Sequence, residues 1–190
     1  MSLPTPTNDL DRAEDDLLRA GYCIVTDVHT PGEVDALKAR LLEQAAAERE
    51  AALAYEFGEL SREAGEENFT IPVGSDADIP KHQFIGVLIN KGEVFHDLVT
   101  HPVADRTATA LLGADWVLSA YDGSIVRPDG PQQALHTDQW WMPRPQVRNQ
   151  RQRPPGDVRR GEFHGNDIGP EDKLIAPALS CTVGWTLTEF

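Results

Sequence analysis

Helix signals come mostly early in this chain and β-former runs mostly late, and that order constrains the fold more than any other feature. Thr30-Pro31-Gly32-Glu33 reads as a helix start, with a hydroxyl N-cap, proline at the first helical position and a glutamate closing a capping box. Val34, Leu37, Leu41 and Leu42 then recur at helical spacing, which carries the helix to about residue 54. An earlier helix starts near Asn8, runs through DLDRAEDDLLRA and ends at Gly21. Further on, GEVFHDLVTHP reads as a short helix stopped by Pro102, and VADRTATALLG as a longer one ended by Gly113.

The strand candidates are YCIVTDV, WVLSAYDGSIV, ALHTDQWW and ALSCTVGWTLTEF, with RPDGPQQ as a turn. HQFIGVLI is extended or helical, residues 56–80 are irregular, and 143–178 form a long loop or lid. Helices followed by turn-linked strands predict an α+β fold, with helices packed on a β-sandwich or jelly roll.

A length of 190 residues suits a single domain spanning 1–190. The formal net charge of −14 argues against a nucleic-acid or anionic-membrane binder, since both need a basic surface. No apolar stretch approaches a membrane span, and the polar, acidic start MSLPTPTNDLDRAEDD is not a signal peptide. Cys23 and Cys181 each sit in an apolar run and read as buried free thiols, so a cytoplasmic location is expected.

HTDQWW, residues 136–141, carries the chemistry. On a strand, side chains two apart share a face, so His136 and Asp138 project together. An imidazole and a carboxylate so placed make two-thirds of the facial triad of non-haem Fe(II) oxygenases. The competing reading of the tripeptide is a surface pair, or a histidine oriented by a carboxylate. Trp140 shares the inward face and either walls a substrate pocket or packs in the core; Trp141 points the other way.

LVTHPVADRTATALLGADWVL, PQQALHTDQWW and VGWTLTEF together resemble the phytanoyl-CoA dioxygenase family, a branch of the Fe(II)- and 2-oxoglutarate-dependent oxygenases. The resemblance covers roughly residues 15–190, and 143–178 fit it least. It implies a double-stranded β-helix core, of the jelly-roll or cupin type, behind N-terminal helices. It implies Fe(II) as metal, 2-oxoglutarate and O₂ as co-substrates, and oxidation of a C–H bond of a small organic molecule with release of succinate and CO₂. His136 and Asp138 match the first two iron ligands. Gln133 matches a glutamine that contacts 2-oxoglutarate in some members, Trp185 a tryptophan beside it, and Lys81 a lysine with a similar role. The other readings are a turn-end glutamine, a core tryptophan and a solvated lysine.

The resemblance also implies a distal histidine, and the chain stops at Phe190 before it. His29, His82, His96 and His101 precede the motif, and His164 is the one histidine after it. His29 and His101 read as capping or surface groups. The chain is therefore expected to be the N-terminal portion of an oxygenase domain, its last strands supplied by a C-terminal fragment. The alternative is a non-catalytic binding or interaction module derived from the same family. Residues 144–160 hold six arginines against Asp157, an island that either grips a substrate anion or pairs with the acidic body.

Overall fold

A computed structural model describes residues 3–56, 71–72, 79–130, 146–147, 174–175 and 178–189, with the backbone alone at 71–72, 146–147 and 174–175. His136, Asp138, Gln133, Trp140, Trp141 and the predicted strand ALHTDQWW lie outside the described residues. Four α-helices are described: α1 (Leu10–Ala20), α2 (Pro31–Glu50), α3 (His96–Val99) and α4 (Pro102–Leu112). The described strands are β1 (Tyr55–Glu56), β2 (Ile71–Pro72), β3 (His82–Ile85), β4 (Gly123–Val126), β5 (Gln146–Val147) and β6 (Leu174–Ile175). The chain passes back and forth between two compact units.

The first unit comprises residues 1–30, 99–117 and 137–186. Asp9 caps α1, its carboxylate accepting from the amides of Asp11 and Arg12. Gly21 ends the helix in the left-handed conformation at φ 84°, donating to the Leu17 carbonyl. His101 caps α4, its Nδ1 accepting from the Val103 amide at 3.2 Å, and Pro102 takes the first helical position. Leu17, Leu18 and Leu111 bring the two helices together, with Cys23, Leu112, Ala178 and Cys181 packed around them. At the rim, Arg106 bridges from α4 to Asp11 and Glu14 on α1.

The second unit comprises residues 31–98, 118–136 and 187–190. Its antiparallel sheet runs β2-β1-β3-β4. Leu37, Leu41, Ala45 and Glu48 form the buried stripe of α2. Leu42, predicted on that stripe, is exposed. The helix also stops short of residue 54. The Leu53 amide reaches the Glu48 carbonyl and the Ala52 amide that of Arg49, closing a Schellman motif with Ala52 at φ 56°. Gln83, completely buried, donates to the Ala45 carbonyl and so ties β3 to the helix. Gly123 on β4 lies so close to α2 that a β-carbon there would stand 2.6 Å from Leu41 Cδ1.

Several strand expectations are corrected. YCIVTDV forms only an isolated bridge, Thr7 with Val25. WVLSAYDGSIV contributes Gly123–Val126 alone; Trp116–Asp122 run without a strand, and Val117 is 82% exposed. Residues 178–189 contain no strand. β-Formers make a strand only where a neighbour supplies a run of ladder partners, and the single Thr7–Val25 bridge is not such a run. Conversely, β2 lies in the stretch read as irregular, and β5 pairs with β6 inside the predicted long loop. HQFIGVLI divides into β3 and a 3₁₀ turn, Leu88–Asn90. GEVFHDLVTHP is a 3₁₀ turn, Glu93–Phe95, followed by α3. Mixed helix and antiparallel sheet is the α+β class; no jelly roll closes among the described residues. No described helix is long and apolar enough to cross a membrane.

Candidate functional site

Lys81 stands at the entry to β3, where the ladder to β4 ends. Its amide donates to Glu56 Oε1 at 2.8 Å, its carbonyl accepts from the Arg127 amide at 2.8 Å, and the residue itself is exposed. Arg127-Pro128-Asp129-Gly130 then turn the chain, the Gly130 amide donating to the Arg127 carbonyl at 3.1 Å with Asp129 at φ 62°. A β-carbon on Gly130 would stand 3.1 Å from both the Arg127 and Lys81 carbonyl oxygens, so this turn packs directly on Lys81. The predicted turn is thus present, and Gln133 follows it by three positions in the sequence.

Beside Lys81, His82 is 6% exposed and its Nε2 lies 2.6 Å from Ser124 Oγ on β4. Burial lowers the His82 pKa, and the Glu56 carboxylate opposes that only in part. One residue on, Gln83 accepts from Arg49 Nη1 at 2.5 Å. Arg127 Nη1 donates to the Pro80 carbonyl, also at 2.5 Å.

Trp185 belongs to the first unit. Its ring lies 4.9 Å from that of His29 and 5.2 Å from that of His101, and the two imidazoles are 5.0 Å apart. His101 therefore does cap a helix as expected, and it also packs on the tryptophan. Its Nδ1 is an acceptor, which puts the proton of the neutral ring on Nε2. His29 Nε2 is buried without a hydrogen-bond partner among the described residues.

An open groove of about 620 Å³ lies in the second unit, between the end of α2 and the stretch from Phe84 to Lys91. Leu53, Tyr55 and Val87 give it apolar walls, and the Glu48–Lys91 ion pair at 2.9 Å lies in its lining. Sequence reasoning missed this groove and the Arg49–Gln83 contact. The signal was Gln44 and Glu48, polar residues one turn apart on or beside the buried stripe of α2.

Among the described residues no group of three or more His, Cys, Asp or Glu side chains is placed to hold a metal ion. The metal-ligating pair expected from the sequence, His136 and Asp138, lies outside them, and its donor chemistry, one imidazole and one carboxylate, suits Fe(II). No curated protein and no solved structure matches the chain. The family model of phytanoyl-CoA dioxygenase matches residues 17–158, which take in the end of α1, all of α2 through β5, Lys81 and the HTDQWW motif. The chain belongs to the phytanoyl-CoA dioxygenase family.

Proposed function

We propose that the chain carries part of the active site of an Fe(II)- and 2-oxoglutarate-dependent dioxygenase that oxidises a C–H bond of a small organic substrate. The observation that carries this reading is the family match over residues 17–158, which includes His136 and Asp138. When bound, the iron supplies O₂ activation, and 2-oxoglutarate leaves as succinate and CO₂.

In this reading His136 and Asp138 would supply two of the metal's protein ligands, one imidazole and one carboxylate. Lys81 and Gln133 would contact 2-oxoglutarate. The Arg127–Gly130 turn packs closely on the Lys81 carbonyl, and Gln133 comes three positions after that turn in the sequence. Trp185 would stand beside the co-substrate, and Trp140 would wall the substrate pocket. An aspartate at 138 favours hydroxylation or desaturation over halogenation, which in this kind of site needs a small residue in place of the carboxylate.

Replacing Asp138 with Ala and measuring Fe(II) affinity and melting temperature on the same variant tests the proposal. Loss of this ligand should weaken Fe(II) binding by at least about 10–100-fold, the range seen for residues that only orient a ligand, with the melting temperature kept. Unchanged iron affinity with a lowered melting point would make Asp138 a turn or cap residue and end the metal reading. Substrate identity is then reached by screening small molecules for a hydroxylation mass shift in the presence of 2-oxoglutarate.

A further inference from the structure

Two arginines of the second unit converge on the start of β3. Arg49 comes from the last turn of α2, and Arg127 follows directly on β4. Both are half-buried. Gln83 faces Ile125 across the β3–β4 ladder, and the Arg127 amide continues that ladder to the Lys81 carbonyl. Residues two apart on a strand share a face, so Arg127 lies on the face of the sheet where Gln83 meets Arg49.

Among the described residues the partners of the two guanidiniums are neutral. Arg49 spends Nη1 on the Gln83 amide oxygen and Arg127 spends Nη1 on the Pro80 carbonyl. Among the described residues neither has a carboxylate within ion-pair distance, whereas Arg12, Arg19, Arg40 and Arg106 each do. Glu56, opposite Gln83 on β1, turns Oε1 to the Lys81 amide instead. In a chain with a net charge of −14, two neighbouring half-buried cations left to neutral acceptors are unexpected. Burial, and then the charge of Arg49, lower the Arg127 pKa. A guanidinium does not give up its proton in a protein, so an anion set beside both arginines would offset that cost.

We infer that Arg49 and Arg127 form a binding site for a small oxyanion, a carboxylate or a phosphate, at the Lys81 end of the β3–β4 ladder. Each guanidinium has nitrogens left over to meet two oxygens side by side, the geometry such groups favour. The site lies next to Lys81, proposed above to contact 2-oxoglutarate, but its anion binding requires no metal and is read through Arg49 and Arg127 rather than through oxygenase turnover.

The test uses the full 190-residue chain, free of metal. Inorganic phosphate and succinate are titrated separately by calorimetry, with chloride at matched ionic strength as the reference. A saturable heat with at least one of them is expected, and which one responds separates a phosphate from a carboxylate ligand. Arg49→Gln and Arg127→Gln should each weaken that binding by about tenfold or more, the loss of one charge-assisted contact. Arg127→Lys keeps the charge and loses the fork, and should weaken binding while leaving the circular dichroism spectrum unchanged. Arg40→Gln, which removes a guanidinium already paired with Glu43, should leave it intact. Absence of a saturable heat with both anions overturns the inference and means that the chain's own carboxylates neutralise the pair. Full binding by both glutamine variants overturns it equally.

Discussion

His82 Nε2 lies 2.6 Å from the Ser124 hydroxyl, joining β3 to β4 by a side-chain hydrogen bond beside the ladder. Burial holds this imidazole below its ordinary pKa of about 6.5. The unfolded chain therefore binds a proton that the folded chain resists. The contribution is fully present above about pH 6.5 and is lost as the pH falls from there through the lower folded value. Melting temperature recorded between about pH 5 and 8 should show this decline. His82→Asn should flatten that part of the profile; a profile of unchanged slope in the variant would assign the decline to other groups.

Tyr121 donates its hydroxyl to the Phe95 carbonyl at 2.8 Å, and burial raises its pKa to about 12. Absorbance titration at alkaline pH should therefore contain one late phenolate step. Tyr121→Phe should remove that step.

Ala52 occupies the left-handed position that ends α2, where a β-carbon costs about 1 kcal/mol relative to glycine. Ala52→Gly removes that strain but adds freedom to the unfolded chain, which offsets part of the gain. The expected net change is a stabilisation of up to about 1 kcal/mol in urea unfolding. A glycine that destabilises would show that this helix end does not adopt the Schellman geometry.

His101 caps α4 with Nδ1, so its replacement by Ala should cost about 1 kcal/mol while His101→Asn, a good capping residue, retains most of that stability. Trp185 fluorescence separates the two roles of the imidazole. Both variants remove the ring packed on Trp185 and should shift its emission, whereas only the alanine variant should lower the melting temperature.

What could be read from the sequence followed the range of the forces involved. The ends of α1 and α4 were legible in Gly21 and Gly113, and the start of α1 near Asn8, because a cap is a contact between residues a few positions apart. The Arg127–Gly130 turn was legible for the same reason. Apolar strand candidates failed: Trp116–Ala120 has the composition of a strand, but a ladder needs a partner whose position the local pattern does not carry. The spacing of His136 and Asp138 is equally local, two positions along the chain, so the sequence displays it directly. The reach of Arg49 to Gln83 joins distant parts of the chain through two polar side chains, and no hydrophobic period announces it.

The close approach of Gly123 to Leu41 ties together two positions that the sequence keeps far apart. Any side chain at 123 claims space that the leucine already fills, so a larger residue on the strand calls for a smaller one on the helix. Recombination between diverged members of the family is thereby constrained. A crossover placed between codons 41 and 123 takes the helix from one parent and the strand from the other. The hybrid packs well only if both parents made the same choice at this contact.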